Sequence, residues 1–176
     1  MGFPETIQAD AVVLRRWRRD YAEVAAAAVQ ASLPELKPFM PWASEEYDVE
    51  TAGKFADISD EGWTSGAQRN YAIFDRSGVL VGSCGLHDRV GPGALEIGYW
   101  LHSDHTGRGY ATMAAIALTQ AALAQPGIER LVLKHDVANT ASGAVAARAG
   151  YHEVGRNERE IAAPGERGID IIWEYP

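Results

Sequence analysis

The sequence predicts an α+β fold, a mixed sheet of about seven strands with about four helices, carried by one domain over residues 1–176. Three observations predict it. Short apolar runs from Tyr71 to Phe74 and from Val79 to Leu86 flank the turn Arg76-Ser77-Gly78, the pattern of a hairpin. The apolar run from Leu95 to Leu101 is followed by Met113, Ala114, Ala117, Leu118 and Ala121, whose spacing switches from strand to helix period. A further apolar run, from Leu131 to His135, comes after that helix. Strand, crossover helix and strand make a parallel pair at the centre of the sheet.

Each element has a local reason. Val12, Val13 and Leu14 with Trp17 form the first strand, and Arg15, Arg16, Arg18 and Arg19 read as its solvated end. Asp20 can cap an alanine-rich helix through about Ser32, which Pro34 ends. The stretch from Leu36 to Trp42 is a stiff apolar loop. Glu45, Glu46, Asp48 and Glu50 follow, and Asp48 or Thr51 starts a second helix reaching about Trp63. Gly91-Pro92-Gly93 turns into the central strand, and Gln125-Pro126-Gly127 stops the long helix. Asn139 to Ser142 caps a short helix to Arg148, closed by Gly150. A strand runs from Tyr151 to Gly155 or beyond, and the last from Asp170 to Tyr175, with the loop from Ala162 to Gly168 between them.

Composition excludes several classes. Of 176 residues, 47% are hydrophobic and 23% charged, which is enough apolar matter for a sizeable core. A net charge of −8 argues against a nucleic-acid binder and suits a cationic partner. Cys84 is the only cysteine, so no internal disulfide or thiolate metal cluster forms, and its apolar strand context points to an inert thiol. The five histidines lack the spacing of a zinc site, so no metal is expected. No apolar run reaches the ~20 residues of a membrane span, and no signal pattern opens the chain, which points to the cytosol.

Thr106-Gly107-Arg108-Gly109-Tyr110-Ala111 joins the central strand to the long helix. Its glycines let backbone N–H groups converge beside a helix N-terminus, a device for holding phosphate, although a ligand-free turn has the same composition. The stretch resembles the acetyl-CoA loop of the GNAT N-acetyltransferases, in which Gln or Arg, two residues, Gly, one residue and Gly or Ala succeed one another. Thr106 departs from that pattern at its first place. The preceding residues Glu96 to Leu101 are similar to the RimJ/RimL branch, which acetylates ribosomal-protein N-termini and whose relatives modify small amines.

The resemblance implies a three-layer GNAT-like fold in which the central parallel strands splay apart and the pantetheine arm fills the gap. It implies acetyl-CoA as donor, with Leu101 bonding the arm and its N–H meeting the oxyanion. Backbone groups of Gly107, Arg108, Gly109, Tyr110, Ala111 and Thr112 would grip the pyrophosphate, with the Arg108 side chain or the Thr112 hydroxyl adding to them. It places the acceptor site along the loop and helix that carry Trp42, Glu45 and Trp63, where the alternative is that both tryptophans are core aromatics. Asn139 and Ser142 match the Asn-x-x-Ser motif of the branch, which would put Asn139 at the cofactor and the Ser142 hydroxyl at the departing sulfur. Their alternative is helix capping alone. Tyr151, near the place where many relatives carry a tyrosine acid, looks structural.

Glu96 is the candidate base. A carboxylate in an apolar central strand is costly unless solvated or paired, so it acts through water or forms a salt bridge. Glu158 and Glu160 are reserve candidates. Strand alternation puts Glu96, Gly98 and Trp100 on one face and Leu95, Ile97, Tyr99 and Leu101 on the other. The implied activity is acetyl transfer to a protein N-terminal α-amine or a cationic small amine such as an aminoglycoside. A non-catalytic acyl-CoA-binding module of the same fold is the alternative. The acceptor stays open, and a homodimer is allowed.

Overall fold

The computed structural model describes residues 2–176. Eight strands form one sheet in the order β1-β2-β3-β4-β5-β6-β8-β7. They are β1 (Thr6–Ala9), β2 (Val12–Arg16), β3 (Gln68–Asp75), β4 (Leu80–His87), β5 (Ala94–Leu101), β6 (Arg130–Asp136), β7 (His152–Glu158) and β8 (Ile169–Tyr175). Five helices accompany them: α1 (Ala22–Ala31), α2 (Leu33–Leu36), α3 (Val49–Ser65), α4 (Tyr110–Leu123) and α5 (Thr140–Arg148). Only β5 and β6 are parallel. Among the described residues no helix is long and apolar enough to cross a membrane.

The expected seven strands become eight because β1 pairs with β2 as a hairpin edge of only four residues, Ile7 and Ala9 being its inward apolar positions. A strand that short carries no readable period. The expected four helices become five because Pro34 does not end the helical path. It sits in the first turn of α2, where its missing N–H costs nothing. Asp20 lies in a 3₁₀ turn, Arg19–Tyr21, and makes no cap for α1. At α3 the choice between Asp48 and Thr51 resolves in favour of Asp48, whose carboxylate accepts from Thr51 N–H at 2.8 Å.

Three layers result. One face of the sheet buries Leu14, Ile73, Leu86, Ile97 and Leu133 against Ala114, Ala115 and Leu118 of α4 and Ala146 of α5. The small alanines let α4 lie close to the strands, and burial of this apolar surface stabilises at roughly 25 cal/mol per Å². The other face packs Trp17, Ala72 and Phe74 against Ala25 and Ala28 of α1 and Ala56 of α3.

The centre of the sheet opens. β5 and β6 pair from Ala94↔Arg130 only as far as Ile97↔Leu133. β5 continues to Leu101 held by β4, and β6 continues to Asp136 held by β8. Hydrogen-bonding direction alternates along a strand. His102 N–H reaches Val81 C=O on the β4 side, and Glu129 and Arg130 N–H reach Gly93 C=O on the β6 side. The odd-numbered residues of β5 therefore face β6, so the backbone groups of Tyr99 and Leu101 point into the gap. Val137 N–H bonds Ile169 C=O, so by the same alternation Lys134 faces β5: its N–H closes the last bridge, to Ile97 C=O, and its C=O is left in the gap.

The far side of the gap is braced by Asp136. Its carboxylate accepts from the N–H groups of Ala138, Arg167, Gly168 and Ile169. Arg159 ties it to Glu166 and Asp170. Burial alone would push the Asp136 carboxyl up, but those four N–H groups hold it below the usual carboxylate range. Its contribution to stability is then complete above the unfolded value near ~3.9 and fades as pH falls through the lower folded value. Asp136→Ala strands several buried donors and lowers stability by about 3 kcal/mol, and Asp136→Asn flattens the loss of stability below about pH 4. Urea unfolding as a function of pH checks both, and an unchanged midpoint for Asp136→Ala would contradict the bracing role.

Candidate functional site

A cavity of about 380 Å³ occupies the gap between the separated halves of β5 and β6. On the α4–α5 side it is lined by Tyr99, His135, Asn139 and Ser142, and on the α1–α3 side by Met40, Arg89, Glu96 and Lys134. The alternation of side chains along β5 and β6 produces this division: Glu96 and Lys134 project to one face, Tyr99 and His135 to the other.

At the head of α4 the chain turns through Gly107 (φ 72°) and Gly109 (φ 78°), both in the left-handed region that favours glycine. Thr106 N–H bonds Ser103 C=O and Met113 N–H bonds Gly109 C=O. Between them, among the described residues, the N–H groups of Gly107, Arg108, Gly109, Tyr110, Ala111 and Thr112 have no protein partner. The Arg108 guanidinium donates to Asp104 C=O at 3.2 Å. Unsatisfied N–H groups at a helix N-terminus attract anions, and the macrodipole adds to them.

Glu96 is buried at 8% exposure and carries two cations, Arg89 at 2.5 Å and Lys134 at 3.5 Å. The salt bridge anticipated as one reading of this residue is present. Burial pushes its carboxyl up, but the hydrogen bond and charge of Arg89 and the charge of Lys134 bring it below the usual range. Glu96 is therefore ionised at neutral pH while lining the cavity.

Asn139 caps α5 by accepting from Ser142 N–H at 3.3 Å, so its capping role is real. The Ser142 hydroxyl accepts from the Tyr99 hydroxyl at 3.0 Å. Sequence reasoning put Tyr99 on the face away from Glu96 but gave it no role. The missed signal was a hydroxyl among apolar neighbours on the stretch of β5 that loses its partner. His135 was also passed over. Its Nε2 accepts from Trp173 Nε1–H at 2.9 Å, which leaves Nδ1–H to donate to Asp136 C=O at 2.8 Å. The bond that Nε2 accepts requires the neutral imidazole.

Other expected residues lie elsewhere. Trp63 is away from the cavity: it packs on Tyr71, with the guanidiniums of Arg16 and Arg69 over its ring, and is a packing residue. Trp42 is 40% exposed and touches Tyr47 and Trp100, close in sequence to the cavity-lining Met40. Glu45 is exposed and paired with Lys37, whose hydrogen bond holds its carboxyl low, so it does not line the cavity. Glu158 and Glu160 are exposed, and Glu166 and Asp170 take the cavity positions around Arg159 instead. Tyr151 meets Thr119 at 2.5 Å and burial pushes its phenol up to about 12, a structural setting. The Cys84 thiol is buried and likewise pushed far up. Among the described residues no group of three or more His, Cys, Asp or Glu could hold a metal ion.

The sequence profile of the acetyltransferase (GNAT) domain matches residues 11–152. No curated protein matches the chain. Solved structures resemble it at low identity. The microcin C7 self-immunity acetyltransferase MccE, in complex with acetyl-CoA and AMP, is 22% identical over 98% of this chain and 96% of that one, with a TM-score of 0.89. RimL, a ribosomal L7/L12 alpha-N-protein acetyltransferase in complex with coenzyme A, is 22% identical over 97% of each chain, with a TM-score of 0.88. Mycobacterium smegmatis RimJ, in complex with a CoA disulfide, is 22% identical over 97% of this chain and 85% of that one, with a TM-score of 0.85.

The pairing of Glu96 is directly measurable. Arg89→Met removes the nearer cation and raises the Glu96 pKa, read from carboxyl carbon shifts in an NMR titration. An unshifted titration would show that Arg89 does not hold this carboxylate.

Proposed function

The chain belongs to the GNAT acetyltransferase family, and on that premise we propose that it moves the acetyl group of acetyl-CoA onto a protein N-terminal α-amine by direct attack. The observation that carries this reading is the opened sheet centre with unpartnered amides at its side. Tyr99 and Leu101 offer backbone donors and acceptors, and Lys134 a carbonyl acceptor, to an extended amide-bearing arm. The six free N–H groups from Gly107 to Thr112 offer a cradle for a diphosphate.

When bound, acetyl-CoA supplies the acetyl group activated as a thioester. The chain does the rest. The loop from Gly107 to Thr112 holds the diphosphate, with Thr106 at its entry. The Leu101 N–H faces the gap and donates to the negative charge that develops on the acetyl oxygen. Glu96, ionised and on the acceptor side, takes a proton from the attacking amine through water. Asn139 fixes the head of α5, and the Ser142 hydroxyl donates to the departing sulfur.

Charge in the cavity bears on the acceptor. Four carboxylates line it against three cations, leaving one net negative charge: Glu96 has Arg89 and Lys134, while Asp136, Glu166 and Asp170 share Arg159. A polycationic amine such as an aminoglycoside needs unpaired carboxylates to hold its further charges, and a single α-ammonium does not. An α-amine with pKa ~8 is roughly one-tenth neutral at pH 7, whereas a lysine at ~10.4 is neutral about once in two thousand. A low-pKa carboxylate suits the first task and not the second. Beside these residues, the likeness to RimL, an alpha-N-protein acetyltransferase, lends support. With no membrane-crossing helix among the described residues, a cytoplasmic setting fits this role.

Coenzyme A at about a hundred times its Kd raises the melting temperature by about 5–10 °C. Gly109→Trp, which closes the cradle, abolishes that shift without unfolding the protein. No shift and no binding heat with the unaltered protein would overturn the reading. Glu96→Gln lowers kcat with an N-terminal peptide about a hundredfold and leaves coenzyme A binding in place. In an acetyl-CoA consumption screen, N-terminal peptides outperform aminoglycosides in kcat/KM by at least tenfold. Faster turnover of an aminoglycoside would reverse the acceptor assignment.

A further inference from the structure

We propose that Tyr99 is a positioning residue for the acetyl transfer, acting through Ser142: its hydroxyl donates to Ser142 Oγ and thereby turns the serine proton toward the sulfur. The inference rests on the transferase reading above and adds a residue that it does not use.

Three observations carry it. The Tyr99 hydroxyl has, among the described residues, one partner, Ser142 Oγ at 3.0 Å. Ser142 N–H is already taken by Asn139, and its hydroxyl donates to no protein group, so its one proton is available to the cavity that both residues line. The head of α5 is also held rigidly. A Cβ on Gly143 would approach the His135 ring to 3.2 Å, so α5 lies against His135, whose own nitrogens are fixed by Trp173 and Asp136 C=O. A serine at the first turn of a helix otherwise has rotamers that send its proton back to a backbone carbonyl. Accepting from Tyr99 disfavours those rotamers and polarises the Ser142 O–H.

The step balances without a change in Tyr99. As the C–S bond breaks, its electron pair goes to sulfur, and Ser142 shares its proton with the thiolate. The amine proton leaves through Glu96 and water. Burial pushes the Tyr99 phenol up, so it stays protonated and remains a donor throughout.

The test uses the binary complex with coenzyme A and follows ultraviolet absorbance of the bound thiolate against pH, so no acceptor is needed. Ser142→Ala raises the bound thiol pKa by about one unit, since a hydrogen bond to a charged group is lost. Tyr99→Phe raises it by about half a unit, with Kd for coenzyme A and melting temperature changed little. In the Ser142→Ala background Tyr99→Phe has no further effect. Under turnover, Tyr99→Phe lowers kcat about threefold to tenfold with KM for acetyl-CoA unchanged. An equal pKa rise from Tyr99→Phe in both backgrounds, or none in the unaltered one, overturns the proposal while leaving the transferase reading intact. Failure of the unaltered protein to bind coenzyme A overturns both.

Discussion

Everything in this molecule depends on the parting of two parallel strands. A parallel pair normally exchanges backbone hydrogen bonds along its whole length, and unmade buried bonds are expensive. Here β5 and β6 exchange them only to Ile97 and Leu133, then each keeps its outer neighbour and releases its inner one. The released groups of Tyr99, Leu101 and Lys134 form a slot in the middle of the sheet that an extended arm with amides can fill as a strand would. The outer pairings, β5 with β4 and β6 with β8, keep the slot from closing.

The slot is also a boundary between two chemistries. On the α4–α5 side stand hydroxyls and a neutral imidazole, with the uncovered amides of Gly107 to Thr112 beyond them. On the opposite side stand paired charges. Arg159 gathers Asp136, Glu166 and Asp170, and Asp136 in turn fastens the connection between β7 and β8. The loop before α3 is tied to that connection, since Gly165 N–H donates to Pro38 C=O at 2.8 Å. The start of α2 is tied to the turn that follows β5: Ser103 N–H donates to Ser32 Oγ, and the Ser103 hydroxyl reaches Glu35. The two sides of the site are thereby braced against one another through α1 and α2.

Much of this was legible in the residues. The hairpin around Gly78, the crossover helix and the glycine turn before α4 follow from period, propensity and positive-φ positions. The alternation along β5 placed Glu96 and Tyr99 on opposite faces before any coordinates. What stayed hidden depended on long-range partners. Glu96 is visible as an anomalous acid, but its pairing with Arg89 and Lys134 needs the fold. Trp63 and Trp42 look alike in sequence, and only the fold separates them: Trp63 packs under Arg16 and Arg69, while Trp42 is exposed beside Tyr47 and Trp100. Glu158 and Glu160 drew attention by their place after α5. The acids that reach the cavity, Glu166 and Asp170, are brought in by Arg159 from across a loop. β1 escaped because four residues cannot display a period.

The most direct test of the central claim is amide hydrogen exchange with and without coenzyme A. Tyr99 and Leu101, together with Gly107 to Thr112, are expected to exchange readily in the free protein and to become protected when coenzyme A is present. Amides paired in the β3–β4 hairpin should change little. Protection of the slot and the glycine turn already in the free protein, or no gain on adding coenzyme A, would contradict it.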